Sequence, residues 1–290
     1  MNAEIGALVM RTMAPPGASQ DLLLRVLQGV YAARFGRPIA VVNAPGRDGV
    51  AAALLTLADP DDGDHLLVTT GSTLTYYPDS GPVGFTLDDF EPLLGVGRYN
   101  FVFITAAARP WRHMAALLDT IRREGRALRY VGSGEPDARL AAAIARRAGI
   151  AIEITHKNGP ALLDTVLSGE ADLGLGTGTH QMLLEAGQLR IMVQLHPRAD
   201  RSAGAPPMPR DLGVDAVLDN FVLISARRGI AAERRDRLIE ELSAAFADAE
   251  IATLVSKRLL MTPGLMRGVE LTEALASQRR SFEALRAASG

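Results

Sequence analysis

The chain has 290 residues, 48% hydrophobic and 22% charged, with a formal net charge of −2 and no cysteine. That length supports a core large enough for two domains, while the near-neutral charge excludes a protein built to read a phosphate backbone. The missing cysteines exclude disulfides, thiolate nucleophiles and thiolate metal sites together.

No apolar run reaches the roughly 18 residues that a membrane span needs. No basic, apolar, then small-residue export signal opens the chain. Met1-Asn2-Ala3-Glu4 reads either as an initiator methionine on a mature domain or as a cytosolic start.

Ala7-Leu8-Val9-Met10 predicts a buried strand, and Leu23, Val26, Leu27, Val30 and Tyr31 recur at helical spacing up to Phe35. Between them lies Met13-Ala14-Pro15-Pro16-Gly17-Ala18-Ser19-Gln20-Asp21, a small-residue turn. A turn of this kind leaves the first helical N–H groups open and aims the positive end of the helix dipole outward, which suits a carboxylate or phosphate. Pro38–Asn43 predicts a second strand, Val50–Ala58 a helix and His65–Thr69 a third strand. Strand and helix alternating in this way predict a parallel sheet covered on both faces. Thr70-Gly71-Ser72-Thr73 then falls at the carboxyl end of the third strand, the rim where open α/β sheets bind ligands.

Residues 78–92 read as loop and Tyr99–Thr105 as a strand, followed by a helix over Met114–Arg123. Leu128–Val131 predicts a strand running into Gly132-Ser133-Gly134-Glu135-Pro136 and a helix over Asp137–Ala148. This repeats the opening device, with Pro136 suited to the first helical turn. Strands are expected at Ala151–Thr155, Ala171–Leu175, Leu189–Leu195 and Phe221–Ile224. Helices are expected after Asn158-Gly159-Pro160 and over Met182–Ala186, and helix with breaks near Asp248 and Pro263 fills the chain from Ala231 onward.

These segments, in this order, resemble the substrate-binding proteins of tripartite tricarboxylate transporters, the Bug family. The family's P-F-x-x-G-G-x-x-D turn stands here as residues 13–21, and its N-R-P-G-A-G-G turn as Asn43-Ala44-Pro45-Gly46-Arg47-Asp48-Gly49. The P-D-G-Y-T-L-L turn and strand stand as residues 60–67, and the strand ending in S-x-G as Tyr130–Gly134. Y-K-G-x-x-P stands as His156–Ala161, G-x-V-D as Gly169–Asp172, and G-K-L-R-x-L as Gly187–Met192. The likeness covers nearly the whole chain. Departures are Ala18 for the second glycine of the first turn, His156 for a tyrosine, the extra Asn158, and Glu135-Pro136-Asp137 where the family carries small residues.

The resemblance implies a periplasmic-binding-protein-like α/β fold of type II: two Rossmann-like lobes with a ligand cleft between them. The first lobe is expected over 1–101 plus 224–290 and the second over 102–223, with crossover strands near 100–105 and 220–225 as the hinge. It implies an extracytoplasmic, periplasmic receptor that takes a small organic carboxylate and delivers it to membrane transporter subunits. A ligand-sensing module that signals to a partner is the alternative use of the same fold. Two helix amino termini, one per lobe, would clamp the two ends of a diacid.

The expected ligand-binding residues are Pro16, Gly17, Ala18, Ser19, Asp21, Thr70, Ser72, Thr73, Gly132, Ser133, Gly134, Asn158, Gly159, Thr177 and Thr179. Asp21 equally suits a purely structural place in the first helical turn, and Ser133 and Thr177 equally suit helix capping. Arg98 is the cation nearest a crossing and could pair a carboxylate bidentately; Arg139 reads as exposed. His65, His113, His156, His180 and His196 lack metal-ligand spacing among themselves, so no metal and no cofactor is expected. No nucleophile elbow or phosphate-binding loop is present, so no enzymatic activity is expected either. A monomer is the expected state.

Overall fold

The structure, a computed structural model, describes residues 6–157, 159–198 and 202–289. The chain divides into two compact units, Met1–Arg98 with Asn220–Arg279, and Tyr99–Asp219 with Arg280–Gly290.

The first unit begins with β1 (Leu8–Thr12), α1 (Ser19–Phe35), β2 (Ile39–Asn43), α2 (Val50–Leu57), β3 (His65–Thr70), the short helices α3 (Gly71–Thr75) and α4 (Tyr77–Ser80), and β4 (Phe90–Arg98). The second unit follows with β5 (Val102–Ala106), α5 (Met114–Glu124), β6 (Leu128–Gly132), α6 (Glu135–Arg147), β7 (Ile152–His156), α7 (Pro160–Leu167), β8 (Leu173–Gly176), α8 (Gln181–Glu185) and β9 (Leu189–Gln194). The chain then returns to the first unit with β10 (Phe221–Arg227), α9 (Ala232–Phe246), α10 (Ala249–Thr253), β11 (Thr262–Met266) and α11 (Gly268–Ser289).

The sheet of the first unit has the order β11-β4-β10-β3-β1-β2. β1, β2 and β3 are parallel, as their alternation with helices predicts, whereas β10, β4 and β11 pair antiparallel. The sheet is therefore mixed. α1 buries Leu23, Leu24, Leu27 and Tyr31, and stops at Gly36, whose φ of 65° only glycine adopts freely. Across that core the Tyr31 hydroxyl donates to the Glu241 carboxylate.

The second unit's sheet has the order β7-β6-β8-β5-β9, with β6, β7 and β8 parallel and β5 antiparallel to both neighbours. β8 enters it through Asp172, which is fully buried and accepts from Arg126 at 2.6 Å and Arg129 at 2.8 Å. Burial alone pushes this carboxyl up, but the two guanidiniums and the Arg129 amide outweigh it and hold the pKa below the usual carboxylate range.

Three expectations change. The reading of 78–92 as loop and of the C-terminal part as helix misses β4 and β11. Pro92, Gly95 and Gly97 hid β4, since each weakens a strand pattern. Pro92 is tolerated because it faces Ser225 at a register shift and lies beyond the end of β11, where no second partner needs its N–H. Gly95 is required by closeness: a Cβ there would lie 2.7 Å from Met266 Cε. The expected crossover strands each belong to one unit, β5 to the second and β10 to the first. Residues 280–290 are grouped with the second unit rather than the first. There the Ser281 hydroxyl accepts from the Val217 amide and donates to its carbonyl, both at 2.9 Å.

Candidate functional site

Because β1, β2 and β3 are parallel and in register, Thr12, Asn43 and Thr70 end on one edge of the first unit's sheet. The turn after β1 is shaped from within. Thr12 accepts the Ala14 amide at 3.1 Å, and Gly17 takes a φ of 82°. The buried Asp21 carboxylate then reaches back to the Gly17 amide at 2.8 Å and to Asn43 Nδ2 at 2.8 Å, with Arg25 at 3.2 Å. Burial pushes Asp21 up, yet the Gly17 amide, Asn43 and Arg25 together hold it below the usual carboxylate range. Asp21 is thus the brace of the turn, and its carboxylate stays ionised. Pro16 and Gly17 are exposed, while Ala18 and Ser19 are half-buried and lead into α1 without a side-chain cap.

The turn after β2 is strained. Arg47 and Asp48 both occupy the left-handed region, at φ 43° and 48°, between Gly46 and Gly49. Non-glycine residues held there cost of order 1–2 kcal/mol each and cluster at functional positions. The Asp48 carbonyl accepts from Thr73 Oγ1 at 2.8 Å, and its carboxylate accepts the Tyr77 hydroxyl. Gly49 cannot be replaced without a shift, because a Cβ would fall 2.7 Å from Thr73 Oγ1. Arg47 is exposed, and its guanidinium makes no hydrogen bond or ion pair among the described residues.

The third turn joins these two. Thr70 and Thr73 hydroxyls approach Met13 Sδ at 3.9 and 3.8 Å, and Thr70 shares a hydrogen bond of 2.9 Å with Ser72. Behind them Asn220 donates to Ser72 Oγ at 2.9 Å and accepts from Gln278 Nε2 at 3.0 Å. The first unit therefore places Pro16–Ser19, Asp21, Thr70, Ser72 and Thr73 along one rim, together with Arg47, Asp48 and Asn220.

In the second unit the corresponding turn follows β6. Gly132 is buried, and Ser133 and Gly134 are half-buried before α6. Both of their amides are spent inside the turn: Ser133 N–H donates to Asp137 Oδ2 at 3.2 Å and Gly134 N–H to Oδ1 at 2.9 Å. The buried Tyr130 hydroxyl donates to the same carboxylate at 2.6 Å. Burial and then the Asp137 charge raise the tyrosine well above its usual pKa. The Lys157 amide ties the end of β7 to Gly132 O at 3.0 Å. Gly159 starts α7 at a φ of 56°, and Asn158 lies outside the described residues. After β8, Thr177 is half-buried and His180 is 5% exposed. The Thr179 side chain lies outside the described residues. Burial lowers His180 to a pKa of about 4, so the imidazole is neutral at pH 7.

The expected helix-terminus device is thus present twice but is not open twice. Arg139 is committed to Glu135 through Nε and Nη2 at 2.9 and 2.7 Å. Arg98 ends β4 with its guanidinium 2.6 Å from Met266 Sδ and over the Phe221 ring at 5.7 Å.

No protein-family model matches the chain. Among curated proteins it is 30% identical over 210 residues to protein BugT of Bordetella pertussis, covering 67% of this chain and 61% of BugT. It is 23% identical over 263 residues to a UPF0065 protein encoded in the tcbD–tcbE intergenic region of a Pseudomonas species, covering 86% of this chain and 76% of that protein. Among solved structures, the periplasmic binding protein BugD superposes with a TM-score of 0.77 at 16% identity, over 99% of this chain and 98% of BugD. The chain is thus similar in sequence to a Bug protein and shares the fold of another. Two further solved structures share its fold. A Rhodopseudomonas palustris protein with adipate has a TM-score of 0.81 at 18% identity, over 100% of this chain and 99% of that one. MatC from the same species, with bound malate, has a TM-score of 0.77 at 17% identity, over 98% of this chain and 99% of MatC.

Sequence reasoning missed three residues that carry the rims. Arg47 and Asp48 sat inside a quoted motif, and their signal was a charged pair between two glycines. Asp137 was visible as a departure from the family pattern, but its role as internal acceptor depends on Tyr130, seven residues upstream across a turn.

Proposed function

We propose that this protein is a periplasmic receptor of the Bug type that binds a small organic carboxylate and delivers it to a tripartite tricarboxylate-type membrane transporter, without catalysis. One observation carries the reading most. Small-residue turns between parallel strands and helices form a rim in each unit, within a fold whose solved neighbours include proteins holding adipate and malate. In the first unit the exposed Arg47 supplies a guanidinium not committed to an internal acid, suited to bidentate pairing with a carboxylate. Ser19 and Thr70 would add hydroxyls from the same rim. Asp21 serves as a brace and not as a ligand contact.

A thermal-shift screen against mono-, di- and tricarboxylates, amino acids and aromatic acids tests this. A ligand that binds the folded state alone raises the midpoint by mass action, by about 2.7 kcal/mol of stability at a hundredfold excess over Kd. The expected hit is an acid whose fully amidated analogue gives no shift. A flat response to every acid, or an equal response to acid and amide, would overturn carboxylate capture.

A further inference from the structure

The hydrogen bonds behind the first unit's rim run in one direction, and that direction ends at Thr70. Asn220 is the residue on which the chain returns to this unit, and its buried side-chain amide can stand only one way round. Three donors converge on its Oδ1 atom: the Ser72 amide at 3.3 Å, the Phe221 amide at 3.1 Å and Gln278 Nε2 at 3.0 Å. A flipped amide would set its own N–H groups against two backbone N–H groups. Nδ2 must therefore face Ser72 Oγ, to which it donates at 2.9 Å.

Ser72 is buried, and having accepted from Asn220 it still has a proton to place. Thr70 Oγ1, at 2.9 Å, is the acceptor that this hydroxyl meets among the described residues. Were Thr70 the donor of that bond, the Ser72 proton would be buried without an acceptor, which folded proteins avoid. Ser72 thus donates, Thr70 accepts, and the Thr70 proton turns away from the interior. What meets it there is weak: Met13 Sδ at 3.9 Å and Thr73 Oγ1 at 3.5 Å, both at the outer limit of a hydrogen bond. Thr73 has spent its own proton on the Asp48 carbonyl at 2.8 Å, next to Arg47. Thr70 is half-buried at the end of β3, so its proton is open to a ligand.

We propose that Asn220 is a positioning residue for the ligand: through Ser72 it fixes Thr70 as a hydrogen-bond donor on the rim, beside the turn that carries Arg47. The inference rests on the carboxylate reading above and deepens it. A carboxylate oxygen is a charged acceptor and gains most from a hydroxyl whose proton is already aimed at it. A freely rotating hydroxyl would have to be ordered on binding, whereas this one is ordered beforehand.

Asn220→Asp tests this with almost no change in shape. The new carboxylate keeps the three donors at Oδ1 but must accept from Ser72, so the Ser72 proton reverses and Thr70 donates inward. Isothermal titration of the full chain with malate, succinate and adipate compares this variant, Thr70→Val and the double variant with the unmodified protein. Asn220→Asp should weaken the tightest of these acids about tenfold or more beyond the loss that it causes in the Thr70→Val background. Equal losses in both backgrounds would reduce the change to an added negative charge and overturn the proposal. Neutron diffraction from a perdeuterated crystal of the unmodified, ligand-free protein gives a second reading that needs neither variant nor ligand. The Ser72 deuteron is expected on the line to Thr70 Oγ1, and a Thr70 deuteron on that line would overturn the proposal. Should no acid in the wider screen above bind, the carboxylate reading falls, and the deuterons alone decide the direction of the relay.

Discussion

The turn from Met13 to Asp21 in the first unit and the turn from Gly132 to Asp137 in the second are the same device with different fillings. Each joins a parallel strand to a helix through small residues, and each is braced by an aspartate from the first helical turn. In the first unit the brace takes one turn amide, that of Gly17, and spends its other oxygen on Asn43. In the second the brace takes both turn amides and a buried tyrosine hydroxyl. An open helix end and a closed one can thus share a sequence signature. What separates them is where a single carboxylate points.

Removing each brace should expose that difference most strongly. Asp137→Ala leaves the buried Tyr130 hydroxyl and two amides without their acceptor, and at 1–3 kcal/mol for each such group the cost should be about 3 kcal/mol or more. Asp21→Ala leaves one amide and one side-chain amide at a more open turn, so about 1–2 kcal/mol is expected. Urea titration with unchanged m-value gives both numbers. Equal costs would mean that the two turns are braced alike.

Much of this architecture is legible in the residues alone. Alternating strands and helices give β1 to β3 and β6 to β8, because parallel strands are continuous apolar runs and their helices have clear faces. β4 and β11 are not legible, since Pro92, Pro263 and three glycines speak against strands and only their partners in the sheet permit them. The rims are legible as positions, because small residues at strand ends mark them. Their electrostatics are not, because whether an amide is free depends on an acid three or four residues away. The strain at Arg47 and Asp48 is invisible for a similar reason: Thr73 and Tyr77, which hold it, come from a different turn.

The second contrast is in acid. His180 on the second unit's rim has its pKa lowered from 6.5 to about 4 by burial, while the Thr70–Thr73 rim of the first unit carries no titrating group. The unfolded chain protonates this imidazole first. The stability it contributes is therefore complete above pH 6.5 and is lost as pH falls through the folded value, on the order of 2–3 kcal/mol across that window. His180→Leu should flatten that part of the stability curve relative to the unsubstituted chain. A parallel curve would show that the imidazole is already solvated in the folded state.

Glycine substitutions give a smaller but cleaner comparison. An alanine Cβ at Gly132 would fall 2.1 Å from Asp137 Oδ2 and 2.7 Å from Tyr130 Cε1, so the brace must move, at about 1–3 kcal/mol. At Gly17 nothing lies within 4 Å, and only the φ of 82° resists alanine, at about 1 kcal/mol. Tyr130→Phe combined with Gly132→Ala should cost less than the sum of the two, since both act on Asp137. Additivity would sever the steric clash from the hydrogen-bond network.

The smallest effect on stability tests the largest claim about the first rim. Arg47→Gly relieves a left-handed residue at φ 43° and adds chain entropy to the unfolded state, so stability should stay level or rise by at most about 1 kcal/mol. If the strain serves to present the guanidinium, the same substitution must weaken carboxylate binding. The two measurements then move in opposite directions, as expected where a fold holds an unfavourable backbone for a ligand. Arg47→Lys keeps the charge and the strain but loses the planar fork, and should recover only part of the affinity if pairing is bidentate. Should Arg47→Gly leave affinity untouched, the strain belongs to the packing of Asp48 against Thr73 and Tyr77, and the carboxylate must be met by the hydroxyls and amides of the rim alone.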